Sequence, residues 1–428
     1  MRIEKDIAEL LEAGIIEKTT ADNIEAFYKN KKTKEPNKLF VVFGVLGAIL
    51  IGLGIILILA HNWDEFSRPT KTCLAFLPLL IGQALCGYSL LNKNESIAWK
   101  ESSSVFLFFA VGASISLISQ IYNIPGSIGS FIITWMLLCL PLLYIMSSST
   151  VSLLYIIGIT YYACYKGYWS YPDEVPYLYW LLLLLMLPHY YFLYKQKSKS
   201  NFMTFHNWFV PLSIIIACGT VKEYHEEVLP LVFLSVLGFL YQIGSFDFFK
   251  NLKLRNNGFR IIGSIGTIIV LLILSFGGYW QNLQENRLSF QEFIGSREWF
   301  IGALFSLLAL AIFYLNQHEK SWKTMKPIGL VFVIVFLLYF IGMRSSIAVV
   351  CINLLIFMLG VVKILDGAKK DHLGILNYGL LIITTLIIAR FFDSDLSFVF
   401  RGLLFVIVGV SFFTANYLML KKRKGNEV

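Results

Sequence analysis

Charge is what this chain has least of. Only 15% of its 428 residues are Asp, Glu, Lys or Arg, against 57% hydrophobic and 16% aromatic. That is too little polar surface to wrap a water-soluble body of this length. The sequence has no Walker lysine loop, no Gly-x-Gly-x-x-Gly after a strand and no Gly-x-Ser-x-Gly elbow. An ATP-driven pump or a soluble-type hydrolase would therefore need another chain. The six histidines (His61, His189, His206, His225, His318 and His372) include no H-x-x-x-H pair, and the six cysteines form no C-x-x-C. Neither a metal site from local spacing nor a disulfide framework is expected, and no cofactor is implied. No span carries arginines at every third position, which argues against a voltage sensor.

Long apolar runs are present in their place. Leu39–Ala60 exceeds the roughly 20 residues that carry a helix across a bilayer core. It follows 38 mostly polar residues and is too long for a signal h-region, so it is expected to stay as a span. Further runs fall at about 72–91, 102–122, 131–146, 151–165, 177–194, 208–221, 228–246, 261–280, 299–315, 328–343, 346–365, 373–392 and 398–420. With the first these make fourteen. Val151–Tyr165 and Trp208–Val221 are short for spans and could be re-entrant. Pro78, Pro141, Pro188, Pro211 and Pro230 lie within or at the ends of runs, where a missing backbone donor needs compensation.

The net charge of +9 is distributed by topology. If successive connections face opposite sides, one side collects 27 Lys and Arg, including the eight before the first span and the four in 421–424; the other collects nine. The positive-inside rule makes the richer side cytoplasmic and places both termini inside. The basicity then needs no nucleic-acid partner.

Residues 1–38 are the one sizeable polar piece. Ile3, Ile7, Leu10 and Leu11 recur at helical spacing up to Gly14, a helix stop, and Thr19 with Asp22 suggests a capping box opening a second helix. A short cytosolic helical hairpin is expected, able to dock on the membrane face or recruit a cytosolic protein. Leu11-Glu12-Ala13-Gly14-Ile15-Ile16, then Ala60-His61-Asn62-Trp63-Asp64-Glu65, then Gly112-Ala113-Ser114-Ile115 running into Gln120-Ile121-Tyr122-Asn123-Ile124-Pro125-Gly126 resemble a bacterial predicted-membrane-protein family, domain of unknown function 2157. The likeness covers roughly residues 1–146. It implies polytopic topology in a bacterial cytoplasmic membrane and no activity.

Three polar clusters are expected on the outward side. His61, Asp64 and Glu65 leave the first span; adjacent acids beside an imidazole could take up protons, bind a cation or act as a base. The plainer alternative is a solvated helix cap with Trp63 in the interfacial belt. Gln120 and Asn123 form the second cluster. The third joins the last two spans: Arg390 and Arg401 lie inside apolar runs, where an unpaired arginine costs at least about 2.5 kcal/mol. Asp393 and Asp395 are near enough in sequence to make an ion-paired lid with them, as a structural clamp or as part of an anion or gating site.

The expected fold is an all-α polytopic membrane helix bundle of about twelve to fourteen spans. It divides into the 1–38 hairpin, a first membrane block over 39–146, the remaining spans over 147–420 and a basic tail over 421–428. A transporter-like or lipid-handling protein with an outward polar site is the leading reading, with membrane lipids as partners. A membrane enzyme using Asp64 or Glu65 on a lipid-linked substrate stands second, because the acidic pair is placed as in the first outward loop of lipid-linked-sugar glycosyltransferases. The longest outward connection here, about Gln281 to Glu298, is too short to form a soluble catalytic domain. An assembly or stress protein signalling through the hairpin is the third.

Overall fold

The computed structural model describes residues 7, 9–25, 63–170, 174–198, 200–222, 226–250, 252–285, 290–317 and 327–393, with a scatter of positions between 399 and 417. The expected first span Leu39–Ala60, His61, Asp395 and Arg401 lie outside them, as does most of 398–420. Among the described residues all regular structure is helical. The chain divides into two compact units, Met1–Leu74 and Ala75–Val428.

In the first unit the polypeptide turns at Gly14 as expected. Gly14 adopts φ +69°, its N–H reaches the Leu11 carbonyl, and the Ile15 N–H closes on Leu10 at 3.0 Å. This left-handed termination is open to glycine because no Cβ collides with the preceding turn. The second helix begins at residue 18, so Thr19 lies inside it and not at its N-cap. Trp63–Glu65 forms a single 3-10 turn ahead of the first long helix.

The longer helices that follow are α1 (Arg68–Asn92), α2 (Ile97–Tyr122), α3 (Ile128–Ile145), α4 (Ser149–Cys164), α5 (Tyr177–Lys197), α6 (Asn201–Cys218), α7 (Leu229–Ile243), α8 (Gly258–Leu274), α9 (Gly277–Glu285), α10 (Arg297–Gln317), α11 (Val331–Gly342), α12 (Ile347–Lys369) and α13 (Leu373–Asp393). Polar caps set several starts. The hydroxyls of Ser96, Ser127, Ser148 and Ser200 accept the N–H three residues on, and the Asn257 side chain does the same for Arg260. Such caps satisfy orphan amides where a helix enters the bilayer region.

Nine helices among the described residues are long and apolar enough to cross a membrane, or ten counting one bent pair. Every apolar run that falls on described residues is helical, but α4, with 16 residues, and α11, with 12, are not among the nine. The doubtful run at 208–221 is a full span: the helix starts at Asn201, beyond the polar Thr204, His206 and Asn207, and Asn201–Val221 has the needed length. The run at 261–280, read as one span, is broken. Gly258–Leu274 and Gly277–Glu285 meet at 66°. Pro78, Pro141, Pro188 and Pro211 sit inside helices, whereas Pro230 is in the first turn of α7, where no donor is lost.

Two buried clusters hold the second unit. One gathers residues of α1 to α8 around Tyr155, Tyr179, Met136 and Leu143; the other gathers α7 to α13 around Trp280, Tyr339, Phe332 and Phe293. The most enclosed span window is that of α7, which packs on α6, α8, α10 and α11. Large apolar side chains face outward along the other helices, among them Leu80, Leu184, Leu307, Leu337 and Leu381. Water would penalise that surface, and lipid does not.

Candidate functional site

The resemblance motif at the end of α2 folds into a helix stop. Asn123 takes φ 51°, the Ile124 N–H returns to the Ser119 carbonyl at 2.9 Å, and Ser119 Oγ donates to the Ile124 carbonyl at 3.0 Å. Pro125 cannot continue the helix, and two residues later the Ser127/Ser130 capping box opens α3. Upstream, Gly112 leaves room for Trp135: a Cβ there would stand 2.6 Å from the indole, whose Nε1 donates to the Phe108 carbonyl at 2.8 Å. Ser114 Oγ ties α2 to α1 through the Ala75 carbonyl at 2.7 Å. Between α1, α2 and α3 runs an open groove of about 1050 Å³, its polar wall including Gln83, Ser114, Gln120, Ser130 and Thr134.

Gln120 thus lines a groove, while Asn123 is exposed in the adjoining turn and serves the helix stop. In the first unit Asp64 and Glu65 are exposed on the 3-10 turn, and the Lys71 ammonium lies 5.7 Å from the Trp63 ring.

Arg390 stands at the break between α8 and α9. Its Nη2 donates to Ser275 Oγ at 3.2 Å, and its guanidinium lies 4.8 Å from the Phe276 ring centroid. The expected lid partners Asp395 and Arg401 fall outside the described residues, as does the side chain of Asp393. The break leaves backbone carbonyls without helical partners, and side chains take them up. Trp280 Nε1 donates to the Leu274 carbonyl at 2.7 Å, Asn353 Nδ2 to the Ser275 carbonyl at 3.2 Å, and Ser275 Oγ to the Leu272 carbonyl at 2.6 Å. Asn353 Oδ1 is buried with no hydrogen-bond partner among the described residues. Farther along α9, the Tyr279 and Tyr339 hydroxyls are 2.6 Å apart and both reach the Glu227 carbonyl, and Gln284 Nε2 donates to the Gly342 carbonyl at 2.8 Å. Irregular backbone at membrane depth is tolerated where protein satisfies it in this way.

The sequence did not point to Ser275, Trp280 and Asn353, which lie 115, 110 and 37 residues before Arg390; the one local signal was Gly277-Gly278 inside an apolar run. It also missed Glu101, whose carboxylate accepts from Ser148 Oγ at 2.5 Å and from the Ser149 and Thr150 N–H groups at 2.9 Å each. Glu101 thereby supplies an anion to the N-terminus of α4. His189 and His206 also meet, with ring centroids 6.5 Å apart. Among the described residues no three His, Cys, Asp or Glu side chains gather as metal ligands.

No curated protein and no solved structure matches the chain. Its N-terminal part, residues 8–152, matches the family model described as Predicted membrane protein (DUF2157), so the helix stop, the Gly112 contact and the groove all fall within the region similar to that family.

Proposed function

We propose that this multi-pass membrane protein is transporter-like, moving or handling a solute or lipid in a bacterial cytoplasmic membrane, with the α8–α9 break as its working element. The observation that supports this is Arg390 at the 66° break that ends the apolar helix α8. Discontinuous helices bring helix-end dipoles and polar side chains into a membrane bundle, where a polar substrate group can meet them. An arginine there supplies a fixed positive charge for an anionic group, and the open acceptor Asn353 Oδ1 adds a place for a donor. The polar groove beside Gln120, and Asp64 and Glu65 on their exposed turn, are reserved for substrate or proton contacts on the outward side.

The test is a lipid and metabolite comparison of cells lacking the gene, rescued by wild type, Arg390→Lys or Arg390→Gln. Transport predicts that an intact solute or lipid changes in amount or sidedness, that wild type restores it, and that Arg390→Gln does not while reaching the membrane at normal level. Full rescue by Arg390→Gln sinks the role of the break. Disappearance of a covalent product, with its precursor accumulating, favours the enzyme reading instead.

A further inference from the structure

A second polar site lies at the end of the bundle where the α1–α2, α3–α4 and α5–α6 connections come together. Asn94, Glu95, Lys100, Ser147, His189 and Lys197 contribute to the wall of a pocket of about 330 Å³. Its apolar side includes Ile97 and Phe192, 56% and 44% exposed, and Leu193. Lys100 and Lys197 are half-buried, and neither makes an ion pair among the described residues. The pocket also adjoins the first turn of α2, a 26-residue helix whose amino end favours anions.

His189 supplies an independent sign of a ligand. It is 3% exposed, it forms part of the pocket wall, and its Nε2 has no hydrogen-bond partner among the described residues. A buried polar atom of this kind costs free energy unless something reaches it. Its neighbour His206 is fully committed by contrast. Nδ1 lies 2.8 Å from the Phe202 carbonyl and so must carry the proton, which leaves Nε2 to accept from Ser152 Oγ at 2.9 Å.

We propose that this pocket binds a phosphate group, taken from a phospholipid headgroup or from a soluble phosphate compound, between Lys100, Lys197 and His189. The wall carries two ammonium groups against the one Glu95 carboxylate, and the nearby Glu101 carboxylate is taken up by Ser148, Ser149 and Thr150. Glu95 stands where the amine of a zwitterionic headgroup can be received, and Ile97 and Phe192 offer the apolar edge that the glycerol end of a lipid needs. All three connections belong to the lysine-rich side of the topology. This site is independent of the transport reading and survives its failure.

The test uses the full chain in detergent, stripped of lipid and titrated with short-chain phosphatidylethanolamine or with inorganic phosphate, with binding read by native mass spectrometry. Wild type is expected to bind, and Lys100→Gln/Lys197→Gln to lose at least about tenfold in affinity, some 1.4 kcal/mol. Lys195→Gln, altering an exposed lysine that sits over Tyr191, leaves binding unchanged. The double arginine variant at 100 and 197 retains binding if charge is what matters, which separates the proposal from a folding defect. Tight lipid binding that phosphate does not displace assigns the headgroup; displacement by phosphate assigns the soluble source. Equal affinity in the double glutamine variant, or no binding of either probe by wild type, overturns the proposal.

Discussion

The indole N–H of Trp280 donates to the carbonyl of Leu274, six residues earlier in the same broken span, at 2.7 Å. The side chain that follows the break therefore satisfies the backbone that precedes it. Trp280 is fully buried and packs on Tyr339 with ring centroids 5.3 Å apart. Trp280→Phe keeps an aromatic ring but removes the donor, leaving a buried carbonyl unpaired. A loss of about 1–3 kcal/mol is expected, read as a lower unfolding midpoint in detergent. An unchanged midpoint would mean that the bend does not depend on this bond.

Gly112→Ala should destabilise the contact between α2 and α3. The new methyl would press on Trp135 at 2.6 Å in a wall that also holds Phe108 and Phe131. Overpacking of this kind costs about 1–3 kcal/mol. The added substitution Trp135→Leu should make Gly112→Ala nearly silent, and additive effects in that double-mutant cycle would refute the contact.

Glu101→Gln keeps the shape of the side chain and removes its charge. The wild-type carboxylate holds one hydroxyl and two amides at the start of α4. About 1–3 kcal/mol is the expected cost, as for hydrogen bonds to a charged group. Hydrogen exchange should report it first at Ser149 and Thr150.

The ion pair between Lys166 and Glu174, 2.7 Å apart, raises the Lys166 pKa chiefly through its hydrogen bond to the carboxylate, with burial opposing. A folded pKa above the unfolded one gives stability that is fully present below the unfolded value and is lost as pH rises through the folded value. Wild type should therefore lose slightly more stability than Lys166→Met on going to strongly alkaline pH. Glu174 is 62% exposed, so solvent screening holds the whole effect under about 1 kcal/mol. Parallel alkaline unfolding curves for the two proteins would contradict it.

Asp64→Asn and Glu65→Gln should each change stability by no more than about 0.5 kcal/mol, because both side chains are exposed on a 3-10 turn. Their part in function is then readable without a folding artefact. Rescue of a gene deletion by the double variant would reduce the pair to a solvated cap.

The sequence displayed the helices because a bilayer imposes a length and an apolar character that a run such as Ile347–Lys369 cannot hide. A helix end was legible at Gly14, where backbone conformation depends on neighbouring residues. The start of α6 was not, since Asn201 to Asn207 is polar by composition and becomes helical through burial of Met203, His206 and Asn207 against the bundle.

Of the candidate sites, the sequence marked Arg390 as costly but supplied only nearby acids as its companions. Tertiary packing decided that Ser275 and Phe276 are among its partners, and that Asn353 and Trp280 share the break. It also drew Lys100, His189 and Lys197 to one pocket. By itself the chain determined that it is helical and lipid-facing, because hydrophobic length and periodicity act within a single segment. Which polar groups meet was left to the folded bundle, because contacts between helices far apart in sequence exist only once those helices have packed.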